Sequence, residues 1–461
     1  MMTKAQFPSL NPDHCKGCLR CVTACNHDCI TEGESINPLT GQIPVMLHLE
    51  NCSGCGLCIE ACPEPYGLAT AEQSEETAKL SEVKTPKYEI NFSMGVHNRN
   101  IPLEHIEPLV LKGTYASAIG AILAGCRNFY GYPITPSTEG AEQMAKLLPE
   151  MDGIFIQAVS EVAAVNMLYG CGGAGKRSLT YTSSPGFSLM LEGVSYLIGA
   201  EVPAVIVNLM RGGPGLGNIA PEQADIKLAC RGLGHGNTQA IVLAPSTPQE
   251  MLDMTILSFD LAFKYRNPVI ILGDGFLGQM TGKITLPDYM IEPAIPDWAV
   301  YGEKKYRQNL ITSIQLNEAD LERHNHHLNR KYRYITDNEQ RYETFMTDDA
   351  DILFVACNSP SQMTKGAVRE LRKLGIKAGL FKPLTLWPFP IKGLVRLLDH
   401  IKTIVVVEAS NGQLEDELRL ALSHANLRYN PNILHVRRFG GILPQLNDIM
   451  EIAFKLEEVE A

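Results

Sequence analysis

Short apolar runs alternate with alanine-rich segments in the middle of this chain, from residue 113 to about residue 273. Glycine, proline or serine bounds each segment. The apolar runs are rich in β-branched residues and predict strands at residues 154–157, 204–208, 240–243 and 269–272. The alanine-rich segments predict helices at residues 114–125, 141–148 and 161–170. This alternation predicts an α/β domain whose parallel sheet is covered by helices on both faces.

The alternation stops at residue 287 and resumes at residue 348. Residues 287–347 contain few β-branched runs and one charged helical segment, so we interpret them as a connecting arm. The arm's neighbouring histidines, His324, His326 and His327, are interpreted as part of a solvated helix face. The resumed pattern predicts strands at 352–356, 378–381 and 403–408 and helices at 362–374, 391–400 and 413–423. Residues 348–461 therefore form a second, smaller α/β domain.

The N-terminal part of the chain is dominated by cysteine. Nine of the thirteen cysteines lie within the first 62 residues, and eight of them form two runs of the pattern C-x-x-C-x-x-C-x-x-x-C. The duplicated pattern is typical of a ferredoxin-like domain with two [4Fe-4S] clusters, in which the last cysteine of each run binds the other cluster. The expected ligands are Cys15, Cys18, Cys21 and Cys62 for one cluster, and Cys52, Cys55, Cys58 and Cys25 for the other.

Structural zinc and disulfides are the alternatives for these cysteines, but eight thiols in this spacing do not form economical zinc sites. Cys29 lies outside the pattern and is interpreted as a packed or spare thiol. We place the cluster domain at residues 1–72 and a polar linker at residues 73–105.

Charge and hydropathy restrict the partners of the protein. The chain has 51 acidic and 40 basic residues, a net charge of −11, which argues against nucleic acid or an anionic membrane surface. The longest apolar stretch, residues 196–210, is interrupted by Glu201, Pro203 and Asn208, so no membrane span is predicted. Residues 1–12 contain no hydrophobic signal segment, and with reduced thiols this favours the cytoplasm.

Three segments follow predicted strands or begin predicted helices and could carry chemistry. Residues 131–138 read GYPITPST, residues 157–170 read QAVSEVAAVNMLYG, and residues 202–218 read VPAVIVNLMRGGPGLGN. Loops at the carboxyl ends of parallel strands commonly bind ligands, and Arg211 could hold a carboxylate through two hydrogen bonds. Each segment also has a purely structural interpretation: a helix cap at Ser137 or Thr138, a helix-dipole partner at Glu161, and a structural ion pair at Arg211.

Together these segments resemble the α subunit of the 2-oxoacid:ferredoxin oxidoreductases, from about residue 106 to the end of the chain. Further matching segments are TSSPGFSLM from Thr182, KPLTLWPFP from Lys382 and VEASNGQLEDEL from Val407. The chain is most similar to the branched-chain, 2-oxoisovalerate type through GPGLGNIAPEQAD from Gly213 and KYRNPVIILGDGFLGQM from Lys264. The resemblance implies a pyrimidine-binding domain of the thiamine diphosphate enzymes at residues 106–286 and a transketolase C-terminal-like domain at residues 348–461.

The resemblance also implies roles for three residues. Glu161 matches the glutamate that hydrogen-bonds N1′ of the aminopyrimidine and thereby promotes deprotonation of the thiazolium C2. Thr135 and Arg211 match the threonine and arginine that hold the carboxylate and 2-oxo group of the substrate.

The sequence contains only part of a thiamine site. Such enzymes bind the diphosphate through Mg²⁺, which is held by a G-D-G turn and a downstream Asn-Asn step. Residues 273–275 read GDG, but no asparagine follows before Asn309, so we interpret them as a strand-end turn. A β subunit is expected to supply the diphosphate and magnesium contacts and a further [4Fe-4S] cluster, with the active site at the subunit interface.

The resemblance implies that the chain is an α subunit fused to a ferredoxin-like domain, which is a separate δ subunit in many relatives. The predicted function is thiamine-dependent oxidative decarboxylation of a branched-chain 2-oxo acid. The products are acyl-CoA and CO₂, and the electrons pass through the clusters to an external ferredoxin. A γ subunit that helps to bind coenzyme A, and a dimer of hetero-oligomeric protomers, are also expected. Two alternatives stay open: the same reaction on 2-oxoglutarate, pyruvate or an aryl-pyruvate, and a non-catalytic electron-transfer or scaffold subunit.

Overall fold

The computed structural model describes residues 7–38, 40–64, 67–70, 97–425, 427 and 431–460. The chain divides into two units, Met1–Glu89 and Ile90–Ala461. Most of the predicted linker, residues 73–96, lies outside the described residues.

The first unit contains short elements around a small core. These are β1 (Pro8–Leu10), α1 (Arg20–Ala24), β2 (Ile30–Glu32), β3 (Val45–Leu47), the 3₁₀ turn Leu49–Asn51, α2 (Leu57–Ala61) and β4 (Leu68–Thr70). Strand β1 pairs with β4 and β2 pairs with β3, both antiparallel. The core consists of two thiols and three aliphatic side chains, Cys21, Cys58, Ile30, Val45 and Leu68. So little apolar surface seldom stabilises a domain by itself, and small domains often rely on bound metal.

The second unit is built on a seven-stranded sheet. Its strands, in spatial order, are β18 (Thr385–Trp387), β11 (Ile241–Leu243), β12 (Val269–Asp274), β10 (Val205–Met210), β9 (Ser178–Thr182), β7 (Asn128–Gly131) and β8 (Ile154–Gln157). All pairs are parallel except that of β18 with β11. Every residue of β10 and β12 is buried, as expected for central strands covered on both faces.

Helices cover the two faces of this sheet. They are α3 (Gly113–Leu123), α4 (Thr138–Leu147), α5 (Glu161–Gly173), α6 (Ser184–Gly199), α7 (Ile226–Arg231), α8 (Pro248–Tyr265) and α9 (Gly275–Gln279), with a 3₁₀ turn at Pro149–Met151. Two antiparallel ribbons complete the region, β5 (Arg99–Pro102) with β14 (Tyr289–Glu292) and β6 (Leu109–Lys112) with β13 (Thr281–Ile284). The α/β fold predicted from the sequence is therefore confirmed.

The smaller α/β domain has a five-stranded sheet. The strands, in spatial order, are β15 (Tyr342–Phe345), β17 (Ala378–Pro383), β16 (Ile352–Val355), β19 (Thr403–Glu408) and β20 (Asn432–Arg437). Its helices are α11 (Asn358–Lys373), α12 (Ile391–Val395), α13 (Gln413–His424) and α14 (Leu446–Glu460). The helix predicted at 391–400 ends at Val395, where the backbone N–H of Leu398 donates to Val395 O in a tighter turn.

One short strand after the smaller sheet's β17 belongs to the larger sheet. Strand β18 follows β17 of the smaller sheet in the chain but pairs antiparallel with β11 of the larger sheet. The backbone N–H of Ala244 also donates to Leu384 O at 2.9 Å. The segment KPLTLWPFP therefore belongs to both sheets. None of the helices in the described part of the chain is long and apolar enough to cross a membrane.

The connecting arm includes a 3₁₀ turn at Lys304–Tyr306 and a long helix, α10 (Glu318–Asn338), which packs on the larger domain. His324 Nε2 lies 2.7 Å from Gly199 O, and His327 Nε2 lies 3.0 Å from Glu201 Oε1. Lys331, which is 1% exposed, donates to the same Glu201 oxygen at 2.9 Å. The histidine segment is therefore partly an interface, in contrast to the solvated face predicted from the sequence.

The Glu201–Lys331 ion pair fixes the arm to the larger domain. Burial disfavours the charged form of Glu201, but Lys331 and His327 outweigh this effect, so the pKa of Glu201 lies well below its ordinary value. Burial lowers the pKa of Lys331, and Glu201 opposes that shift. The pair is thus held in its charged form away from water.

We expect Glu201→Gln to destabilise the second unit by about 3 kcal/mol, because Lys331 then stays buried without a counter-charge. The double variant Glu201→Gln with Lys331→Met should recover most of that loss. Urea unfolding followed by tryptophan fluorescence measures this, since Trp387 packs edge-on against Tyr332 of α10 and Trp298 lies under Arg266. Equal destabilisation by the single and double variants would contradict the prediction.

Candidate active site

The cysteines of the first unit lie in two groups that combine both sequence runs. One cavity is lined by Cys15, Cys18, Cys21 and Cys62. Burial raises the pKa of the Cys21 thiol, and the nearby Cys15 and Cys62 raise it further. All thirteen cysteines are free thiols, which disagrees with the disulfide alternative. Within the described residues, no three His, Cys, Asp or Glu side chains converge on a site for a single metal ion.

The second group involves Cys58, Cys52 and Cys25. Burial raises the pKa of Cys58, and Cys52 and Cys25 are close enough to add to the shift. Cys55 is exposed on the loop before α2. The ninth thiol, Cys29, is buried and donates to His27 O at 3.3 Å, so it packs beside this group. Each group thus contains a cysteine from the end of the other run.

Local backbone geometry produces these groups. Residues Leu19 and Gly56 occupy corresponding positions of the two runs, directly before α1 and α2, and both are left-handed, with φ of 59° and 80°. At Gly17, also left-handed, a Cβ atom would lie 2.5 Å from Ile43 O. The tight turns bend each run so that consecutive cysteines can face one cavity.

In the second unit, Glu161 is the first residue of α5 and follows the edge strand β8. Ser160 caps this helix by accepting the backbone N–H of Ala163 at 3.2 Å. Glu161 is only 4% exposed. A Cβ atom on Gly186, in the first turn of α6, would lie 2.5 Å from Glu161 Oε1, so the absence of a side chain there makes room for the carboxyl group. The Glu161 carboxyl is therefore held between α5 and the first turn of α6.

Arg211 connects the three predicted segments. It follows β10 and donates through Nη1 to Thr135 O at 2.8 Å and through Nη2 to Leu216 O at 3.2 Å. Its backbone N–H donates to Ser184 Oγ at 3.1 Å. The residue is 6% exposed, and its Nε is buried with no hydrogen-bond partner among the described residues. The structure therefore brings Thr135 and Arg211 together, with donors on Arg211 still available to a ligand.

Thr135 and Arg211 differ in their exposure to solvent. Thr135 is exposed, so its hydroxyl is accessible, while its carbonyl oxygen is already bound by Arg211. The first turn of α6 contacts Arg211 through Ser184 and Glu161 through Gly186. Glu161 and Arg211 therefore both contact the first turn of α6, and Thr135 is joined to them through Arg211.

Asp225 supports this arrangement and was not identified from the sequence. Its Oδ2 accepts Ser184 Oγ at 2.6 Å and Asn208 Nδ2 at 2.9 Å. Burial raises the pKa of Asp225, and the hydrogen bonds from Ser184 and Asn208 oppose the shift. The only sequence signal is its place at the end of GPGLGNIAPEQAD, because no local spacing indicates contacts 17 and 41 residues away.

Asp274, in the GDG segment, has a structural role. It ends β12, and its Oδ1 accepts the backbone N–H of Leu277 at 2.9 Å and Ser359 Oγ at 2.7 Å. Its Oδ2 accepts the backbone N–H of Ser359 at 2.9 Å. Both oxygens of this fully buried carboxyl are bound by protein donors. The segment is a strand-end turn, as interpreted from the sequence, and it does not fit a magnesium ligand.

Buried amides join the two α/β domains behind the site. Gln223 Nε2 donates to Cys357 O at 3.2 Å and Asn358 Oδ1 at 3.1 Å, while its Oε1 accepts the backbone N–H of Ala409 at 2.7 Å. Asn358 Nδ2 donates to Leu272 O at 2.7 Å. These bonds fix the segment after Arg211 against the smaller domain.

A cavity of about 500 Å³ lies next to the start of α6, between the two α/β domains. Its walls include Ser184, Glu222 and Asp225 from the larger domain and Gln413 and Phe439 from the smaller one. Glu222 is 7% exposed and accepts the backbone N–H of Gly213 at 3.1 Å, which holds the glycine loop after Arg211.

Apolar side chains are exposed on the Glu161 side of the domain. Strand β8 is the last strand of its sheet, and no further strand pairs with it in the part of the chain that the structure describes. Val159 is 88% exposed, and Val162 and Leu189 are 43% and 54% exposed. Exposed apolar patches of this kind commonly mark protein interfaces.

Comparison with known families covers both units. Residues 119–347 match the family described as "Pyruvate flavodoxin/ferredoxin oxidoreductase, thiamine diP-bdg". Residues 350–449 match "Pyruvate:ferredoxin oxidoreductase core domain II", and residues 14–65 match the "4Fe-4S dicluster domain". The chain thus contains an iron–sulfur domain and a thiamine diphosphate-binding domain.

Curated relatives extend this result. The chain is 46% identical over 352 residues to the ketoisovalerate oxidoreductase subunit VorB of Methanothermobacter marburgensis, covering 76% of this chain and 97% of the relative. It is 36% identical over 357 residues to the 2-oxoglutarate synthase subunit KorA of Methanocaldococcus jannaschii, covering 72% of this chain and 95% of that protein. Both relatives are subunits of larger enzymes, so partner subunits are expected here as well.

A solved structure has the same fold. The 2-oxoglutarate:ferredoxin oxidoreductase from Magnetococcus marinus, with 2-oxoglutarate, coenzyme A and succinyl-CoA bound, superposes with a TM-score of 0.68 at 28% identity. The match covers 76% of this chain and 65% of that one. With the matched domains and the 46% identical relative, this chain belongs to the 2-oxoacid:ferredoxin oxidoreductase family, as an enzymatic subunit with an N-terminal 4Fe-4S domain.

Proposed function

We propose that this chain provides half of a thiamine-dependent active site that oxidatively decarboxylates a branched-chain 2-oxo acid. The observation that carries the proposal is the buried Glu161 carboxyl, held against the same helix start that binds Arg211. The reaction converts a 2-oxo acid and coenzyme A into an acyl-CoA, CO₂ and a proton, and two ferredoxin molecules each gain one electron.

Thiamine diphosphate, when bound, supplies the nucleophilic carbon that attacks the 2-oxo group. Glu161 is suited to hydrogen-bond N1′ of the aminopyrimidine, because its buried carboxyl is kept in one position by α5 and Gly186. A carboxyl group in a dry site can exchange a proton with a ring nitrogen without first reorganising water. We therefore assign Glu161 as the proton-exchanging residue.

Arg211 and Thr135 are proposed to hold the substrate. The guanidinium is buried, always charged, and positioned by Thr135 O and Leu216 O, so it can bind a carboxylate without losing its own order. The exposed Thr135 hydroxyl supplies one more directional hydrogen bond to the same group.

A β subunit is proposed to complete the site. Asp274 is fully committed to Leu277 and Ser359, so the diphosphate and its Mg²⁺ need ligands from another chain. The exposed apolar residues Val159 and Val162, next to Glu161, are available for that interface. The β subunit should also carry a further [4Fe-4S] cluster, and a γ subunit should help to bind coenzyme A.

The N-terminal unit is proposed to hold two [4Fe-4S] clusters that carry electrons to an external ferredoxin. Iron–sulfur clusters accept one electron at a time, which suits the two single-electron steps of the oxidation. The cavity lined by Cys15, Cys18, Cys21 and Cys62 supports the first ligand set, and the proximity of Cys25 to Cys58 supports the second. We expect a cytoplasmic complex that is a dimer of hetero-oligomeric protomers.

Replacing Glu161 should stop the chemistry but not the assembly. We expect Glu161→Gln to lower the turnover number with 2-oxoisovalerate and coenzyme A by at least about 100-fold, since a positioned acid–base group contributes that much or more. The assay is viologen reduction by the assembled complex. Glu139→Gln is the matched control: Glu139 also lies in a helix first turn but forms a partly exposed ion pair with Lys112. A Glu161→Gln rate within twofold of the wild type would favour the scaffold alternative.

Replacing one cluster cysteine should separate chemistry from electron export. We expect Cys58→Ala to lose the iron of one cluster and most ferredoxin reduction, while binding of the 2-oxo acid to the complex is retained. Iron and sulfide analysis, electron paramagnetic resonance and isothermal titration calorimetry measure these effects. Cys29→Ala, which removes the buried thiol outside the pattern, should keep the full iron content. Unchanged ferredoxin reduction by Cys58→Ala would refute the relay.

The substrate class is tested by kinetics of the wild-type complex. The 46% identity to a ketoisovalerate oxidoreductase subunit, against 36% to a 2-oxoglutarate synthase subunit, supports branched-chain 2-oxo acids. We expect kcat/KM for 2-oxoisovalerate to exceed that for 2-oxoglutarate by about 100-fold or more, because residues 212–221, after Arg211, contain no charged side chain to pair with the second carboxylate. A preference for 2-oxoglutarate would overturn the substrate assignment but not the reaction type.

A further inference from the structure

We propose that Leu216 determines which 2-oxo acid the enzyme accepts, by contacting the side chain of the substrate whose carboxylate Arg211 holds. This inference rests on the proposed function and names a residue that selects the substrate. The loop after Arg211 is rich in glycine, but hydrogen bonds hold it in one conformation.

Leu216 lies between two glycines in the left-handed conformation, Gly215 with φ of 71° and Gly217 with φ of 57°. A Cβ atom on Gly217 would lie 1.7 Å from Gly212 O, so this position tolerates only glycine. The backbone N–H of Asn218 donates to Gly212 O at 3.0 Å and closes the loop. The loop therefore has one defined path, with Leu216 at its tip.

The loop is also held from outside. Glu222 accepts the backbone N–H of Gly213 at 3.1 Å, and Asn218 Nδ2 donates to Gly440 O of the smaller domain at 3.1 Å. The Arg211 guanidinium binds Leu216 O at 3.2 Å. Leu216 is therefore next to the group proposed to bind the substrate carboxylate, and its position is set from three sides.

The side chain of Leu216 is 80% exposed, so it contributes little to the packing of the fold. A single exposed leucine is ordinary in itself. Here, however, a closed loop, two left-handed glycines and a buried arginine fix the backbone of this residue beside Arg211. The side chain of a bound 2-oxo acid begins two bonds from its carboxylate carbon, and thus lies within reach of a neighbour of Arg211.

The chemistry of the loop fits an apolar substrate. Residues 212–221 read GGPGLGNIAP and contain no charged side chain. A branched aliphatic chain would lose water contact against Leu216, whereas the distal carboxylate of 2-oxoglutarate would find no cation on this loop. A methyl group, as in pyruvate, would make less contact.

The test compares kcat/KM for 2-oxoisovalerate, pyruvate and 2-oxoglutarate in complexes assembled with Leu216→Ala or Leu216→Lys. We expect Leu216→Ala to lower the ratio of 2-oxoisovalerate to pyruvate about 10-fold, the usual effect of losing hydrophobic contacts in a specificity pocket. Leu216→Lys should raise the ratio of 2-oxoglutarate to 2-oxoisovalerate by at least about 10-fold, because the ammonium group pairs with the distal carboxylate. Ile219→Ala, an exposed aliphatic change in the same loop, is the control and should leave both ratios unchanged.

If both Leu216 variants keep the wild-type ratios within twofold, the assignment of Leu216 is wrong while the proposed function stands. An equal change of the kcat/KM ratios in Ile219→Ala would also overturn the assignment of Leu216, because the whole loop would then affect substrate choice. If the wild-type complex oxidises none of the three acids, the proposed function fails, and this inference fails with it. Leu216 is exposed, so neither variant is expected to impair folding.

Discussion

The hydrogen bonds of one buried side chain, Arg211, determine the arrangement of the site. Its guanidinium binds the backbone carbonyls of Thr135 and Leu216, and its backbone N–H is bound by Ser184. A buried guanidinium must find acceptors, because an unpaired charge in the protein interior is costly. Two of those acceptors are supplied by separate loops, so the loops are fixed relative to each other. The Arg211 Nε has no hydrogen-bond partner among the described residues, which is consistent with the proposed binding of a substrate carboxylate.

A second constraint lies in the buried contact between the two α/β domains. The carboxyl of Asp274, at the position where a thiamine enzyme could bind magnesium, is fully used by Leu277 and Ser359 to join the two α/β domains. Gln223 and Asn358 extend these buried polar contacts, because each side chain hydrogen-bonds across the boundary to the other domain. The Asp274 carboxyl is thus used for domain packing. This observation supports the proposal that a second chain binds at the exposed surface beside Glu161.

Much of the fold could be predicted because the strands are buried apolar runs with clear limits. The strands predicted at 154–157 and 403–408 have the same bounds in the structure; Gly153 precedes the first run, and Lys402 and Glu408 bound the second. Contacts between residues far apart in the sequence could not be predicted. Nothing local in the chain directs β18 to the larger sheet, or Asp225 to Ser184 and Asn208. The proposed roles of Glu161, Thr135 and Arg211 rest on motif resemblance. The structure adds that Glu161 and Arg211 contact one helix start and that Arg211 binds Thr135 O.

We propose that this chain supplies the acid–base and substrate-binding half of a thiamine site. The most direct test is a cryo-EM structure of the assembled complex with thiamine diphosphate and an unreactive 2-oxo acid analogue. We expect a Glu161 carboxyl oxygen within hydrogen-bond distance of the aminopyrimidine N1′, roughly 2.6–3.2 Å, and the analogue's carboxylate on Arg211. Thiamine bound away from Glu161, or an analogue carboxylate that does not contact Arg211, would contradict the proposed roles of these two residues.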